Sequence, residues 1–436
     1  MRPPCVLRLL VFRRLYGNEP TIAPTSYIVV TGSELVRGER TDRNGPFVAR
    51  QLVHLGVPPA RIAIVGDNDA ELEATLAEAL DADLVVVSGG LGPTHDDKTV
   101  ELVARAAGVG LHVDEQLETE IERISRQVAE RLRRPYADFE HGVRKQATIP
   151  DGAESLGLAG TAPGLVLQTD RAAVVLLPGP PSELQRLWPR ALESELVRRV
   201  LEQTQPPEHR ILRFFGASES EVARALAEAG GEPEGVEATI CARDFEIHVD
   251  LFGPAEELDS ALRERLERHL FADDDRGVEE LVLDLCRARG WTLATAESCT
   301  GGMVATRLTS VPGSSDVFLG AVVAYSDDVK EQELGVSRAT LEQHGAVSAE
   351  TAAEMASGVR ARLGADVVVS VTGIAGPGGG TPEKPVGTVF LRAETPDGSR
   401  GLEFTFAQDR ESVRRRSTVV ALHLLRRLLL IRFDAD

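Results

Sequence analysis

Cysteine is scarce in this chain of 436 residues. There are four, Cys5, Cys241, Cys286 and Cys299, far apart and with no CxxC pair. That argues against a disulfide framework or a structural zinc site and fits a reducing, cytoplasmic setting. No apolar run approaches the roughly 20 residues that span a bilayer. The apolar stretch 5–12 is interrupted by Arg8, followed by Arg13 and Arg14, and lacks a small-residue cleavage site, so it does not read as an export signal. Basic charge is short as well: 48 Lys and Arg face 68 Asp and Glu, a formal net charge of −20. This disfavours nucleic acid and anionic membranes as partners, yet allows a local basic pocket for a phosphorylated metabolite.

What remains is ordinary globular material, 42% hydrophobic and 27% charged, in a length that calls for two or three domains. Residues 1–22 read as a loose extension or a start codon placed too early. From Tyr27 onward, short β-branched runs alternate with helical spacing. Strands are expected at 27–32, 61–67 and 83–90, and helices at 44–55, 69–80, 96–107 and 114–133. Strands near 164–168 and 173–177 follow, then a helix entered through the prolines of 177–184. The 83–90 run is continuously apolar, as a parallel strand covered on both faces would be. The fold class expected for 23–203 is therefore α/β with a doubly wound sheet. Linker-like segments at 203–209 and 272–277 bound a small α+β module, 204–273. A second α/β domain is expected over 276–432. ADLVVVSGGLGP (82–93) and ADVVVSVTGIAGP (365–377) echo each other as two uses of one device, a buried strand feeding a glycine loop.

Three segments of the last domain carry chemistry. AESCTGG (296–302) lies where a strand ends and a helix begins. A helix N-terminus offers free N–H groups and partial positive charge. A hydroxyl or thiol there can attack a carbonyl while neighbouring N–H groups hold the oxyanion. The same letters also suit an ordinary N-cap serine with glycines for close packing. Ser298 is the candidate nucleophile. Cys299 competes, since a thiolate is the stronger nucleophile, although free cysteine is commonly a small buried hydrophobe. In YSDDVK (325–330), Lys330 could act as base if burial depresses its pKa, with Tyr325 as relay; a lone helical lysine is more often solvated. TGIAGPGGGTPEKPVGTV (372–389) is a glycine loop able to approach an anion, or else a surface hairpin, and it matches no Walker pattern. Arg410, Arg414, Arg415 and Arg416 open the last helix, where one could reach a phosphate.

In the first domain, SGGLGPTHDDKT (88–99) could cradle a phosphate through Gly89, Gly90, Gly92 and Thr94. Asp96 and Asp97, with Asp67 of GDN (66–68), would suit Mg²⁺ or a similar divalent metal beside it. Acidic residues favoured at a helix N-terminus are the plainer reading.

Residues 278–432 resemble the C-terminal domain of the CinA family (competence/damage-inducible protein A), the PncC-type nicotinamide mononucleotide amidohydrolases. The matching segments are AESCTGG, LTSVPGSSDVFLGAVVAYS, HGAVS and VTGIAGPGGGTPEKPVGTV. The resemblance implies hydrolysis of the nicotinamide amide to nicotinic acid mononucleotide and ammonia, without a cofactor. It implies Ser298 as nucleophile, Lys330 as base and Tyr325 nearby. Thr300, Gly301, Gly302, Thr372, Gly373, Gly376 and Arg414 would surround the nucleotide. Residues 23–200 resemble the molybdopterin-binding fold through TGSELVRG (31–38), GDN, SGGLGPTHDD, RKQATIP (144–150), GTAPG (160–164) and LPGPPSEL (177–184). This implies metal-dependent ADP-ribose pyrophosphatase activity or pterin binding, with Gly32, Glu34 and Asn44 joining the glycine loop. The family's GTELL and DTN read Gly32-Ser33-Glu34-Leu35-Val36 and Asp42-Arg43-Asn44 here; serine keeps the hydroxyl, and Arg43 adds charge beside the pocket. The resemblance also implies a homodimer. Three readings follow: a two-headed pyridine-nucleotide salvage enzyme, a chain whose first half binds a pterin, and a non-catalytic competence or damage-response adaptor.

Overall fold

The computed structural model describes residues 24–243, 245–406 and 409–431. The extension expected over 1–22 lies outside them. The chain divides into two compact units, one ending at His209 and the other starting at Arg210.

The first unit contains strands β1 (Ser26–Thr31), β2 (Pro59–Val65), β3 (Leu84–Ser88), β4 (Leu111–Val113), β5 (Thr148–Pro150), β6 (Glu154–Leu158), β7 (Pro163–Gln168) and β8 (Ala173–Leu177). Its helices are α1 (Ser33–Val36), α2 (Asn44–His54), α3 (Asp69–Ala79), α4 (Thr99–Ala107), α5 (Glu115–Leu132), α6 (Ala137–Gln146), α7 (Pro181–Glu193) and α8 (Glu195–Leu201). Six strands form one sheet in the order β2-β1-β3-β8-β7-β6, and β4 pairs with β5 separately. β1, β2, β3 and β8 are parallel; β7 and β6 add an antiparallel edge. Side chains of β1 alternate between two cores. Tyr27 and Val29 join Leu76, Leu102 and Ile121, whereas Ile28 and Val30 join Leu52, Leu184 and Trp188. Burial on both faces explains why these strands are apolar at every position, each large side chain contributing about 1.5–3 kcal/mol. The helix expected from 96 starts at Thr99, because Asp97 instead accepts hydrogen bonds from Thr94 in a preceding turn. The short ribbon β4–β5 and edge strand β6 were not expected, since runs of three to five residues show little periodicity; the ten-residue helix α6 was not expected either.

The second unit opens with β9 (His209–Phe215), α9 (Glu219–Glu228), β10 (Glu237–Arg243), β11 (Glu246–Phe252), α10 (Glu256–Arg265) and β12 (Leu270–Ala272). These make a small sheet ordered β10-β11-β9-β12. The chain continues through α11 (Val278–Arg289), β13 (Leu293–Glu297), α12 (Met303–Thr309), β14 (Phe318–Val323), α13 (Asp327–Leu334), α14 (Arg338–His344) and α15 (Ala349–Leu363). It ends with β15 (Val367–Gly373), β16 (Thr388–Thr395), β17 (Gly398–Thr405) and α16 (Arg410–Leu430). The second sheet is ordered β14-β13-β15-β16-β17, parallel over its first three strands and antiparallel over the last two. Val367, Val369 and Val371 face one core, and Val368 faces the other with Met355 and Val359. The small module shares the first of these cores: Phe215 and Phe271 pack with Val278 and Leu422 of the last region. His423 of α16 stacks on Phe215 with ring centroids 3.7 Å apart. No described helix is long and apolar enough to cross a membrane.

Candidate active site

In both units the parallel strands turn away from a shared central position. β13 lies between β14 and β15, and β1 lies between β2 and β3. Such a reversal opens a crevice at the carboxyl ends of the strands. Ser298 is the first residue beyond β13, its N–H donating to Val371 O of β15 at 2.9 Å. Beyond β14, Ser326 caps α13 by accepting from Val329 N, which carries Lys330 one turn later into the interior. Lys330 is 2% exposed. Its Nζ donates to Ser298 Oγ at 3.3 Å and to Ala324 O at 3.1 Å. The nearest carboxylate, Asp327, stands 3.9 Å away and is mostly exposed. Burial pushes the Lys330 amine below its usual range, opposed in part by Asp327.

Glu297, at the end of β13, is fully buried and was overlooked in the sequence, although it lies inside AESCTGG. Its carboxylate accepts from the N–H groups of Gly302 (2.9 Å), Val304 (3.1 Å) and Ala305 (2.9 Å), and from Thr295 Oγ1 at 3.3 Å. The helix start expected to offer these N–H groups to a ligand is therefore occupied by the chain's own anion. Gly301 and Gly302, at φ 60° and 93°, make the left-handed turn that lets the loop close over this carboxylate. The N–H groups of Cys299 and Thr300 donate to no oxygen among the described residues. The Thr300 hydroxyl is buried without a partner. Cys299 is buried in the core, and burial pushes its thiol up to about 12. A thiolate is thus disfavoured at the one position competing with Ser298.

Other expected residues are placed differently from the sequence reading. Arg414 does not stand open to a phosphate: its guanidinium donates to Cys299 O at 3.1 Å and Thr300 O at 2.9 Å, clamping the loop. Thr372 is 1% exposed and donates to Ala346 O at 2.7 Å, so its hydroxyl is spent on an internal tie. Tyr325 is 62% exposed, and its hydroxyl accepts from Arg410 at 2.7 Å, not from Ser298 or Lys330. Arg410 also donates to Gly376 O at 2.6 Å, tying the glycine loop to Tyr325. Gly373 lies against Cys299: a Cβ there would be 3.1 Å from the sulfur. Lys384 anchors the same loop through His344 O and Val347 O, both at 2.7 Å.

In the first unit, Gly32 ends β1, and Gly89 and Gly90 follow β3 in left-handed conformations. A Cβ on Gly90 would collide with the Thr99 hydroxyl. Asn44 is buried, donating to Ser88 Oγ at 2.8 Å and Gly179 O at 2.7 Å, while its Oδ1 has no partner. The hydroxyls of Thr31 and Thr99 are likewise buried and without a partner among the described residues. Neither threonine stood out in the sequence, although Thr31 opens TGSELVRG and Thr99 closes SGGLGPTHDDKT. Glu34 folds back over Gly32, its Oε2 3.0 Å from where a Cβ would stand. A Cβ on Gly92 would strike Asp97.

Of the expected metal carboxylates, Asp96 and Asp97 both meet the Thr94 hydroxyl, whereas Asp67 bonds elsewhere. Asp67 accepts from Ser33 N at 3.2 Å, Asp97 accepts from the N–H and hydroxyl of Thr94, and Asp96 is exposed beside His95 at 4.0 Å. No group of three or more His, Cys, Asp or Glu able to hold a metal exists among the described residues. Asp96 and Asp97 could hold a divalent ion only together with oxygens of a bound phosphate.

Residues 275–429 match the family model for the CinA C-terminal domain, and residues 27–198 match that for a probable molybdopterin binding domain. The fold and the crevices thus define a chain of two joined domains of these classes. A CinA-like protein of Mycobacterium tuberculosis is 44% identical over 419 residues, 92% of this chain and 96% of that protein. One from Mycobacterium leprae is 43% identical over 418 residues, with 92% and 96% covered. The chain belongs to the CinA-like family. Among solved structures, the competence/damage inducible protein CihA from Agrobacterium tumefaciens is 41% identical, covering 35% of this chain and 97% of its own, with a TM-score of 0.33. The protein CinA from Thermoplasma acidophilum is 32% identical, covering 40% and 98%, with a TM-score of 0.35.

Proposed function

We propose that the second unit hydrolyses the amide of nicotinamide mononucleotide to nicotinic acid mononucleotide and ammonia. The observation that supports this is the buried Ser298–Lys330 contact of 3.3 Å, with the amine held toward its neutral form. Neutral Lys330 takes the Ser298 proton as Oγ attacks the carboxamide carbon. The N–H groups of Cys299 and Thr300, which donate to no oxygen among the described residues, are the donors at hand for the resulting oxyanion. Collapse breaks the C–N bond, and Lys330 returns the proton to the departing ammonia. Water, deprotonated by the same amine, then cleaves the acyl ester and regenerates Ser298. For the phosphate, Arg410 is the better candidate than Arg414. Its two partners are neutral, and it pairs with no carboxylate among the described residues, so its charge is unmatched.

For the first unit, the three unpartnered polar atoms of Thr31, Asn44 and Thr99 around the Gly89–Gly90 turn favour binding of a polar ligand, a pterin or a phosphorylated nucleotide. Metal-dependent cleavage of ADP-ribose would fall to Asp96 and Asp97, which meet at the Thr94 hydroxyl, with the ligand's own phosphates completing the ion's shell. The deciding experiment is ammonia release from nicotinamide mononucleotide by wild type, Ser298→Ala and Cys299→Ser. Loss in Ser298→Ala alone supports the amidohydrolase. An inert wild type would move the non-catalytic adaptor to first place.

A further inference from the structure

We propose that Glu297 is the positioning residue of the nucleophile loop: its buried carboxylate ties the start of α12 back to the end of β13 and so fixes Ser298 against Lys330. The inference rests on the Ser298–Lys330 reading but not on the identity of the amide. Five residues, 298–302, connect β13 to α12. At one end Ser298 N–H is held by Val371 O, and within the loop Gly301 N–H donates to Ser298 O at 3.1 Å. At the other end Glu297 alone gathers three N–H groups, with Oε1 accepting from Ala305 and Oε2 accepting from Gly302 and Val304. Glu297 O also accepts from Ala324 N at 2.8 Å, next to the carbonyl that holds Lys330. One residue therefore bears on the nucleophile loop through its side chain and on the base's anchor through its backbone.

Two roles are separable. A proton-transfer group would touch Ser298 or Lys330, whereas every hydrogen bond of the Glu297 carboxylate goes to the loop backbone or to Thr295. Glutamine keeps one acceptor oxygen and turns its NH₂ toward an N–H donor, so it keeps part of the tie. Alanine removes all of it.

The experiment uses a fluorophosphonate probe, which forms a P–O bond to Ser298 Oγ and loses fluoride, the proton passing to Lys330. Labelling of the full chain is followed by intact mass across pH, with Ser298→Ala as the blank. Glu297→Ala should label about 100-fold more slowly, the scale of a nucleophile displaced by about 1 Å. Glu297→Gln should fall between Ala and wild type and keep the wild-type pH midpoint. Wild-type speed in a folded Glu297→Ala overturns the proposal, and so does a shifted midpoint in Glu297→Gln, which would make Glu297 a proton carrier. Should the variants not fold, hydrogen exchange on wild type decides: the Gly302, Val304 and Ala305 amides should exchange at least about 100-fold more slowly than in open chain, and rapid exchange overturns the tie. If wild type labels at Ser298 yet releases no ammonia from nicotinamide mononucleotide, the substrate reading fails and this one stands.

Discussion

Replacing Lys330 with Met separates catalysis from stability, because the two effects have opposite signs. Methionine fills similar volume and removes the amine. The site loses its buried base, a contribution of about 10²–10⁴-fold in general base catalysis, so ammonia release should fall by at least about 100-fold. Stability should move the other way. The change forfeits hydrogen bonds to Ser298 and Ala324, about 1 kcal/mol each. It also relieves the burial of an ammonium whose closest carboxylate is 3.9 Å away and solvated, a cost of several kcal/mol. The net expectation is a gain of about 1–3 kcal/mol near neutral pH. The pH dependence fixes the sign. The folded pKa of Lys330 lies below its ordinary 10.5, so between those values the unfolded chain binds more protons and wild-type stability rises with pH. The penalty is full below the folded pKa and gone above 10.5, so the variant's advantage should shrink across that window. Wild-type turnover should climb through the same folded pKa. Urea unfolding and ammonia release at matched pH values test both. A variant within tenfold of wild-type rate would place the base elsewhere, and a folded but less stable variant would make Lys330 a stabilising cation.

Cys299→Ser should leave turnover within about threefold, and iodoacetamide should modify exposed Cys241 in the native protein while sparing Cys299, whose thiol is held up near 12. Arg410→Met should raise KM by about 10-fold or more with little change in kcat, since its charge is read as holding the phosphate; an unchanged KM refutes that role. His423 is held below its usual value chiefly by burial, while Glu246 is held low by the hydrogen bonds of His248 and His423 in spite of burial. The folded state resists protonating His423, so the second unit should lose stability as pH falls from 6.5 toward about 4, and His423→Phe should flatten that slope in urea titrations. Gly90→Ala demands a left-handed alanine pressed on the Thr99 hydroxyl, so the first unit's melting transition should drop by about 2 kcal/mol or more while ammonia release persists.

The legibility of this chain follows the range of its interactions. The strands at 83–90 and 366–373 could be placed because burial on both faces leaves a local signature, uninterrupted apolarity. Each proves to be an interior strand, β3 between β1 and β8, β15 between β13 and β16. Ser298 and Lys330 could be named because their motifs are dense, though only the fold brings their side chains together. Partner choice across long separations was not readable. Nothing in the last helix tells Arg414, spent on the carbonyls of Cys299 and Thr300, from Arg410, which meets only neutral groups. The same holds for Thr372 and for the scattered aspartates of the first unit, whose hydrogen bonds close on nearby backbone or hydroxyl groups.

The two crevices make different use of one geometry. In the first unit the turn after β3 is surrounded by polar atoms with no partner among the described residues, a surplus that a ligand or water would satisfy. In the second, the helix start after the central strand β13 is neutralised from within by Glu297. A carboxylate already seated on those N–H groups repels a second anion, so the phosphate of the proposed substrate would be directed away from the nucleophile loop. That leaves the amide carbon, which is neutral, as the part of the substrate suited to Ser298. It would also leave the guanidinium of Arg410, which pairs with no carboxylate among the described residues, as the place where negative charge is welcome. On the proposed amidohydrolase reading, the internal anion would serve orientation: with the helix start closed to a phosphate, the amide end would be the one admitted to Ser298 and Lys330.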